Sequence, residues 1–590
     1  MTGHQDNEVF LAATAIEEFW DTSRPVVFLG PWCKKFSRKN FMSTFKNETV
    51  SSPLQDQNKL YEAYRYTAKV FDKLMPQVAN AMNIIHKSKH NERYWKIIVG
   101  PWLFHYIDIL YDRSTALKTF LDQKRLFTTI KLSERSFITP ESGFEFLSLA
   151  REDAYNLQLF SRILDHLFPN KFEAKELAVR HIKPAVKQKW TVLLKGRVNK
   201  AISDLILNLR AKNGNIAMKS PYFPDKDLIK ILQKTGATLL EDINPDLNPT
   251  KTDPKIRDGF VFCDDKDDDF ISMITHLIKT DIPKCYIEGY LNICSAGGKY
   301  PAAKAVLSAN SWYFDEPFKV WAAQRAEEGA FLVGLQHGGN YGSDLFIRFE
   351  DYEKSIVDRY YTWGWVNRDD RKNIVPFYAN KLIDNRMLEA NNTLKGVLLV
   401  STGTPRYLYR MNVINSYHSA HYLDLQLRFA AALGKDLRGA LTVRLYQEDL
   451  GAEDDLRWRE RFSDVKLERA QIPYWESVKT SRLIICDHLS TTFLEALSAG
   501  KPTVLFWDPD VQLIRPEVKE YYEGLRKAGV LFDDPEAAAQ TVKNIYYDVE
   551  SWWNEDKRQK IIMRFCEKFA LKSKDPVNEW TKELVKICSN

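Results

Sequence analysis

Two short segments concentrate the residues of this chain that could do chemistry. The first is Gln336-His337-Gly338-Gly339-Asn340-Tyr341-Gly342, which follows an apolar, strand-like run at 331–335. Three glycines in five residues let the backbone approach a ligand closely, and they put Gln336 and His337 at the rim of a crevice. An imidazole titrates near pH ~6.5, so His337 suits deprotonation of a hydroxyl or a hydrogen bond to a phosphate. The alternative is a structural histidine in a tight turn. Asp344 and Glu350, close by in sequence, are the other candidates for a base.

The second segment is RLIICDHLSTTFLEALSAGKPTVLFWD, residues 482–508. It reads as a strand (483–486), a polar loop (487–491), a helix (about 492–499), a glycine stop at Gly500 and a second strand (503–507). Unpaired N–H groups at a helix start carry partial positive charge and hold anions, so Ser490, Thr491 and Thr492, with His488 beside them, form a candidate cradle for a nucleotide phosphate. The same residues also read as a capping box, Thr492-x-x-Glu495, that only closes the helix. Ser401-Thr402-Gly403, after a strand at 397–400, form a second polar loop facing the same cleft. Arg444, on a strand at 441–446, could make bidentate phosphate contacts; the alternative is an ion pair with Glu448 or Asp449.

The elements that must position these groups alternate between strand-like and helical runs, which predicts α/β architecture with parallel sheets. An early strand at 25–30 ends in Gly30-Pro31-Trp32. A long helix at 60–86 follows, and the apolar run 97–99 reads as another strand ending in the same triplet, Gly100-Pro101-Trp102. Both triplets would then sit at strand ends, where ligand crevices form, or serve as structural plugs. Residues 112–212 read as mainly helical. Short strands are expected at 215–218, 238–240, 259–263, 305–308 and 360–365, helices at 270–279 and 317–328, and a linker at 371–393. Asp265-Lys266-Asp267 has the spacing of a metal–nucleotide site, but acids before a helix are favoured by its dipole alone; no metal is assigned.

The 590 residues allow several domains, and 44% hydrophobic with 27% charged residues is ordinary for a chain with a large core. Seven scattered cysteines without C-x-x-C spacing argue against a disulfide framework or zinc knuckle. The first residues lack the basic and apolar regions of a signal peptide, and no apolar run reaches the ~18 residues of a membrane span, so a cytoplasmic protein is expected. Net charge is +6, with eleven Lys/Arg against three Asp/Glu over 171–212. That stretch is a candidate peripheral contact with the inner membrane, or a solvated helix face. No motif supports nucleic-acid binding.

The two halves resemble the GT-B glycosyltransferase architecture, with two Rossmann-like domains and helical insertions in the N-terminal half. A closer resemblance is to transferases encoded in bacterial O-antigen and surface-polysaccharide gene clusters. It is carried by LGPWC (29–33), ERYWKIIVGPWL (92–103), QHGGNYG (336–342), TWGW (362–365) and DHLSTTFLEALSAGKPT (487–503). It implies an acceptor-side domain over 1–380, with the 112–212 insertion, a nucleotide-donor domain over 381–560 and a terminal helix over 561–590. It also implies a nucleotide-sugar donor, a lipid-linked or oligosaccharide acceptor, no cofactor, and Glu495 on a ribose hydroxyl. Kdo and CDP-alcohol transferases place His-Pro where this chain has Tyr446-Gln447. A CDP-alcohol phosphotransferase and a non-catalytic nucleotide- or polysaccharide-binding assembly protein are the alternatives.

Overall fold

The computed structural model describes residues 8–177, 215–245, 251–262, 268–367, 372–382 and 390–589. Its strands form three main sheets in which every pairing is parallel. The first holds β1 (Val9–Ala12), β2 (Val26–Phe28), β3 (Asn47–Thr49) and β4 (Phe127–Thr128) in the order β3-β2-β1-β4; β5 (Ile130–Leu132) and β6 (Glu173–Lys175) pair separately. The middle sheet holds β7 (Ile216–Lys219), β8 (Thr238–Leu239), β9 (Ala305–Ser308), β10 (Phe331–Leu335), β11 (Arg359–Thr362) and β12 (Ile374–Pro376), in the order β12-β11-β10-β9-β7-β8. The third holds β13 (Gly396–Val400), β14 (Leu441–Arg444), β15 (Lys466–Glu468), β16 (Ser481–Cys486), β17 (Thr503–Phe506) and β18 (Leu531–Phe532), in the order β15-β14-β13-β16-β17-β18.

The central strands are runs of Val, Leu, Ile and Ala buried on both faces, which is what a parallel sheet covered by helices demands. Counted within its own unit, the third sheet runs 3-2-1-4-5-6 and the middle sheet 2-1-3-4-5-6. These are the two common doubly wound orders, so the chain is α/β with two Rossmann-like sheets. Order reverses between β13 and β16 in one sheet and between β7 and β9 in the other. Ligands bind outside the carboxyl ends of strands at such reversals.

The second Gly-Pro-Trp triplet is not at a strand end. Residues 97–102 lie inside the helix Glu92–Leu121, which carries Pro101 in its interior and is apolar on nearly all sides. A short apolar run fits a buried strand and a buried helix equally well, and length decides between them. Gly100 admits the Tyr352 ring, 3.0 Å from where a Cβ would stand, and Trp102 stacks on Tyr106. Gly30 does follow a strand, but Trp32 folds back over it, fully buried, and donates Nε1 to the Ala13 carbonyl. Neither triplet lines a crevice.

Other expectations also shift. The 112–212 stretch contains β4, β5 and β6 besides the helices Gly143–Leu149 and Asp153–Leu167, and its basic part beyond 177 lies outside the described residues. Residues 259–262 form no strand, and Asp265-Lys266-Asp267 lies outside the described residues. The 371–393 linker contributes β12 to the middle sheet. The helix Pro576–Ser589 buries Trp580, Leu584 and Ile587 in one cluster with Phe223, just past β7, and Tyr361 of β11, so this helix packs on the middle sheet. The described cysteines are free.

Buried polar groups staple the halves together. Glu350 is wholly buried and accepts from the Gly342 N–H (2.8 Å), Arg515 (2.9 Å) and Lys354 (3.2 Å). Burial opposes its charge, but Arg515 and Lys354 outweigh it and hold the carboxyl below the usual range. Asp344 accepts from Gln512 (2.7 Å) and Asn340 (2.8 Å), and burial pushes its carboxyl up to about 7. Both candidate bases are thus bound between the 336–344 loop and the loop after β17.

Removing Glu350 would strand Arg515 as a buried, uncompensated charge, a defect worth about 3–5 kcal/mol. Glu350→Ala should therefore lower the urea midpoint strongly, and adding Arg515→Met should recover part of the loss. An unchanged midpoint with lost turnover would instead make Glu350 a chemical group.

Candidate active site

In the third sheet, β13 and β16 run side by side with Val400 opposite Cys486, so the loops 401–403 and 487–490 emerge together at the order reversal. Asp487 is the hub: it accepts from Tyr422 (2.6 Å) and Gln426 (2.7 Å), and His488 Nδ1 lies 2.7 Å from it. Tyr422 in turn accepts from the Thr402 N–H. The Ser401 N–H is tied to the Arg444 carbonyl, and Gly403 is required because a Cβ there would meet the Tyr446 ring at 2.6 Å.

The helix after β16 spans Thr491–Ser498 with Ser490 as N-cap, one residue earlier than expected. That displaces the capping box. Ser490 Oγ bonds Thr492 Oγ1 (2.7 Å) and caps no N–H, while Glu495 forms an ion pair with Lys381 (3.2 Å). Arg444 pairs with Glu468 on the neighbouring strand (2.8 Å), not with Glu448 or Asp449, and faces Tyr474, whose hydroxyl donates to the Thr492 carbonyl.

Across the cleft, the loop after β10 meets this helix directly. The Gly339 N–H donates to Thr491 Oγ1 (3.0 Å), and a Cβ on Gly339 would stand 2.3 Å from the Ser490 carbonyl oxygen. Only glycine permits that approach. Gln336 is consumed internally. Its Oε1 accepts from the Trp363 N–H and Trp365 Nε1 (2.7 Å each), and its Nε2 donates to the Gly338 carbonyl. It pins the Thr-Trp-Gly-Trp segment rather than offering a group at the rim. Gly338 packs against Tyr341.

His337 stands among tyrosines: ring centroids of Tyr341, Tyr222 and Tyr313 lie 5.3, 6.0 and 6.1 Å away. Its Nδ1 is 3.4 Å from Glu353 Oε1, without the alignment of a hydrogen bond, and its Nε2 is 3.5 Å from the Tyr341 hydroxyl. Glu353 is buried and accepts from Tyr313, Tyr360 (2.6 Å) and Tyr341 (3.4 Å); burial pushes its carboxyl well above the usual range despite those bonds. Burial, then the nearby Lys381 cation, lowers His337 to about 4, against a hydrogen bond to the Ala309 backbone. The imidazole is therefore neutral near pH 7.

Three features of this site escaped the sequence. Glu353 sits three residues beyond Glu350 on the helix Arg348–Ile356, where no local pattern distinguishes the two. Lys381 lies in the expected linker. Ser220 and Tyr222, just past β7, adopt positive φ (46° and 60°), unusual for residues with side chains. Tyr222 is held beside His337 by the Asn310 amide, and the Pro221 carbonyl accepts from Asn380 (2.6 Å). Tyr-Phe-Pro after a strand carried a turn signal, but nothing tied it to His337.

A family model described as LIC12162 family transferase matches residues 9–584. No protein of curated function matches the chain. Among solved structures, MurG of Acinetobacter baumannii aligns at 12% identity and TM-score 0.33, covering 63% of this chain and 99% of its own. The spinosyn rhamnosyltransferase SpnG, complexed with thymidine diphosphate, aligns at 12% and 0.32, covering 64% and 99%. Arabidopsis thaliana UGT89C1, complexed with quercetin, aligns at 11% and 0.32, covering 63% and 99%. The strand orders given above carry the fold.

Because the folded-state pKa of His337 is depressed, its contribution to stability is present above the unfolded value of ~6.5 and is lost as pH falls toward about 4. An NMR titration of the His337 ring should show a midpoint near the lower value, rising in Lys381→Met. A midpoint at or above ~6.5 would remove the neutral-base assignment.

Proposed function

The chain belongs to the LIC12162 family of transferases, and we propose that it is a glycosyltransferase that moves a sugar from a nucleotide-sugar donor to a lipid-linked or oligosaccharide acceptor in surface-polysaccharide assembly. The observation behind this reading is the Gly339–Thr491 contact, by which the loop carrying His337 meets the start of the Thr491–Ser498 helix, an anion-favouring position, between two doubly wound sheets.

The donor phosphates would lie against the first-turn N–H groups of the Thr491–Ser498 helix, beside Ser490, Thr492 and the Ser401–Gly403 loop. With the ring proton on Nδ1, 3.4 Å from Glu353, Nε2 would be the base. Nε2 takes the acceptor hydroxyl proton as the acceptor oxygen bonds the sugar carbon. The bond from that carbon to the phosphate oxygen breaks, and the nucleotide leaves with the electron pair. Helix N–H groups and Lys381, steadied by Glu495, offset the charge that develops on the leaving phosphate. Glu353 is a positioning residue for His337, and Tyr222 presents an aromatic face suited to a sugar ring. The donor half would comprise 381–560, and the acceptor half 1–380. Among the described residues no helix is long and apolar enough to cross a membrane. A lipid-linked acceptor would then be met by peripheral contact through the basic 171–212 stretch of a cytoplasmic enzyme.

A thermal-shift panel of UDP, GDP, CDP, CMP and dTDP should single out one nucleotide by raising the melting temperature. Its effect should weaken in Arg444→Ala, through loss of the Glu468 pair that braces Tyr474 against the helix start. With the matching sugar donor, His337→Ala should lose turnover while keeping the nucleotide shift. No shift from any nucleotide, or full turnover in His337→Ala, would overturn the reading.

A further inference from the structure

The irregular loop 401–415 after β13 carries two arginines four residues apart, and they are treated very differently. Arg406 is paired with Asp153 (2.5 Å) and donates to the Trp32 carbonyl (2.6 Å). Arg410 has no carboxylate within ion-pair distance among the described residues, although it is only half-exposed. Its guanidinium lies over the rings of Tyr409 (5.1 Å) and Phe349 (5.6 Å). With the Asn412 amide turned to satisfy its neighbours, the amide oxygen accepts from Arg410 Nε (3.0 Å) and fixes the fork.

Among the described residues the groups packed against Arg410 include two rings, an amide and His105, and the nearby Glu448 lies toward Arg151. His105 is buried, donates its Nδ1–H to the Tyr409 carbonyl, and leaves Nε2 without a partner among the described residues. Burial, then Arg410 itself, drives its imidazole down to about 3, so it stays neutral. Stacking over rings recovers part of the cost of a desolvated cation, but not the whole of it. Arg151 approaches the same Tyr409 ring (6.0 Å) and is held only loosely by Glu448, at 3.7 Å.

The place is as telling as the charge. Phe349 packs on Tyr313 (4.3 Å between centroids), and Tyr313 is one of the rings around His337. On the other side Arg410 and Arg151 both bear on Tyr446, the residue that fills the space at Gly403. Arg410 is thus linked through Phe349 and Tyr313 to the rings around His337 and acts on Tyr446 beside the donor loop, on a different element from the Thr491–Ser498 helix.

We propose that Arg410, assisted by Arg151 about the Tyr409 ring, forms a second anion site that takes a phosphoryl group borne by the acceptor. The site rests on the glycosyl-transfer reading for the word acceptor, but not for its affinity for phosphate. Arg supplies the planar fork that such a group needs, and the bound anion offsets a cation that the fold leaves uncompensated.

Inorganic pyrophosphate titrated calorimetrically at low salt into the full-length protein should fill two classes of site. Arg410→Gln should abolish one class or weaken it about tenfold or more, with Arg410→Lys intermediate and Arg151→Gln milder. Arg410 has no ion pair to lose, so Arg410→Gln, which gives up only the Asn412 bond and the ring contacts, should lower the melting temperature slightly at most and keep a cooperative transition, which separates the effect from misfolding. Glucose 1-phosphate and phosphatidic-acid vesicles, used as competitors, tell a soluble from a lipid-borne phosphoryl group. Competition by either supports the site, and competition by neither overturns its assignment to an acceptor. Wild-type pyrophosphate binding that Arg410→Gln leaves unchanged, or no binding at all, overturns the site itself. A silent nucleotide panel with intact Arg410-dependent binding would instead remove the glycosyl-transfer reading and leave the anion site standing.

Discussion

Glu350 receives donors from both halves of the molecule. The Gly342 N–H and Lys354 come from its own side and Arg515 from the other. Burying a carboxylate is expensive, and it is sustained here because every approach to it is a hydrogen-bond donor with cationic partners nearby. Such a pair adds little net stability over an apolar core, but it tolerates only one alignment. It sets the 338–344 loop against the 512–515 loop, where Asp344 and Ile514 form an isolated bridge and Asp344 takes the Gln512 amide. The Gly339 contact with Thr491 follows from that alignment. A one-residue shift that set Asn340 in the place of Gly339 would bring a side chain into the Ser490 carbonyl.

The same cleft separates two electrostatic regimes. Around His337 burial and the nearby Lys381 keep the imidazole itself neutral. Glu353 is raised by burial, its oxygens are occupied by tyrosine hydroxyls, and the imidazole is lowered. A few residues away Lys381, Arg410 and a helix start gather positive character. A neutral base beside a cationic surface is the division that departure of an anionic leaving group requires. The base must keep its lone pair while the charge that develops elsewhere is stabilised.

Much of this was legible in the sequence, and the exceptions have identifiable causes. The βαβ unit around 482–508 and the glycine loop at 336–342 declared themselves because turn chemistry and helix starts are local. The second Gly-Pro-Trp triplet misled because an apolar run is the same signal in a buried helix as in a strand. Trp102 could be placed only by knowing that the helix Glu92–Leu121 is covered on nearly every side. Glu350 was visible as a carboxylate near His337, yet Arg515, which makes it a clamp, lies far along the chain. Glu353, Lys381 and Arg410 carry no local pattern. Their roles come from which charges are absent around them as much as from which groups are present.

The backbone at Ser220 and Tyr222 points the same way. A left-handed conformation costs a residue with a side chain of order 1 kcal/mol or more, and persists only where its surroundings over-determine it. Here Asn380 takes the intervening Pro221 carbonyl, Asn310 takes the Tyr222 hydroxyl, and Trp363 holds Asn380 in turn (2.8 Å). Trp363 is pinned by Gln336, the residue next to His337. The strained turn, the Thr-Trp-Gly-Trp segment and the catalytic candidate are therefore one hydrogen-bonded assembly. Its outward product is a tyrosine face, about one-third exposed, at the reversal of the middle sheet. Those bonds are what over-determine the two left-handed residues, and they fix the position of that face.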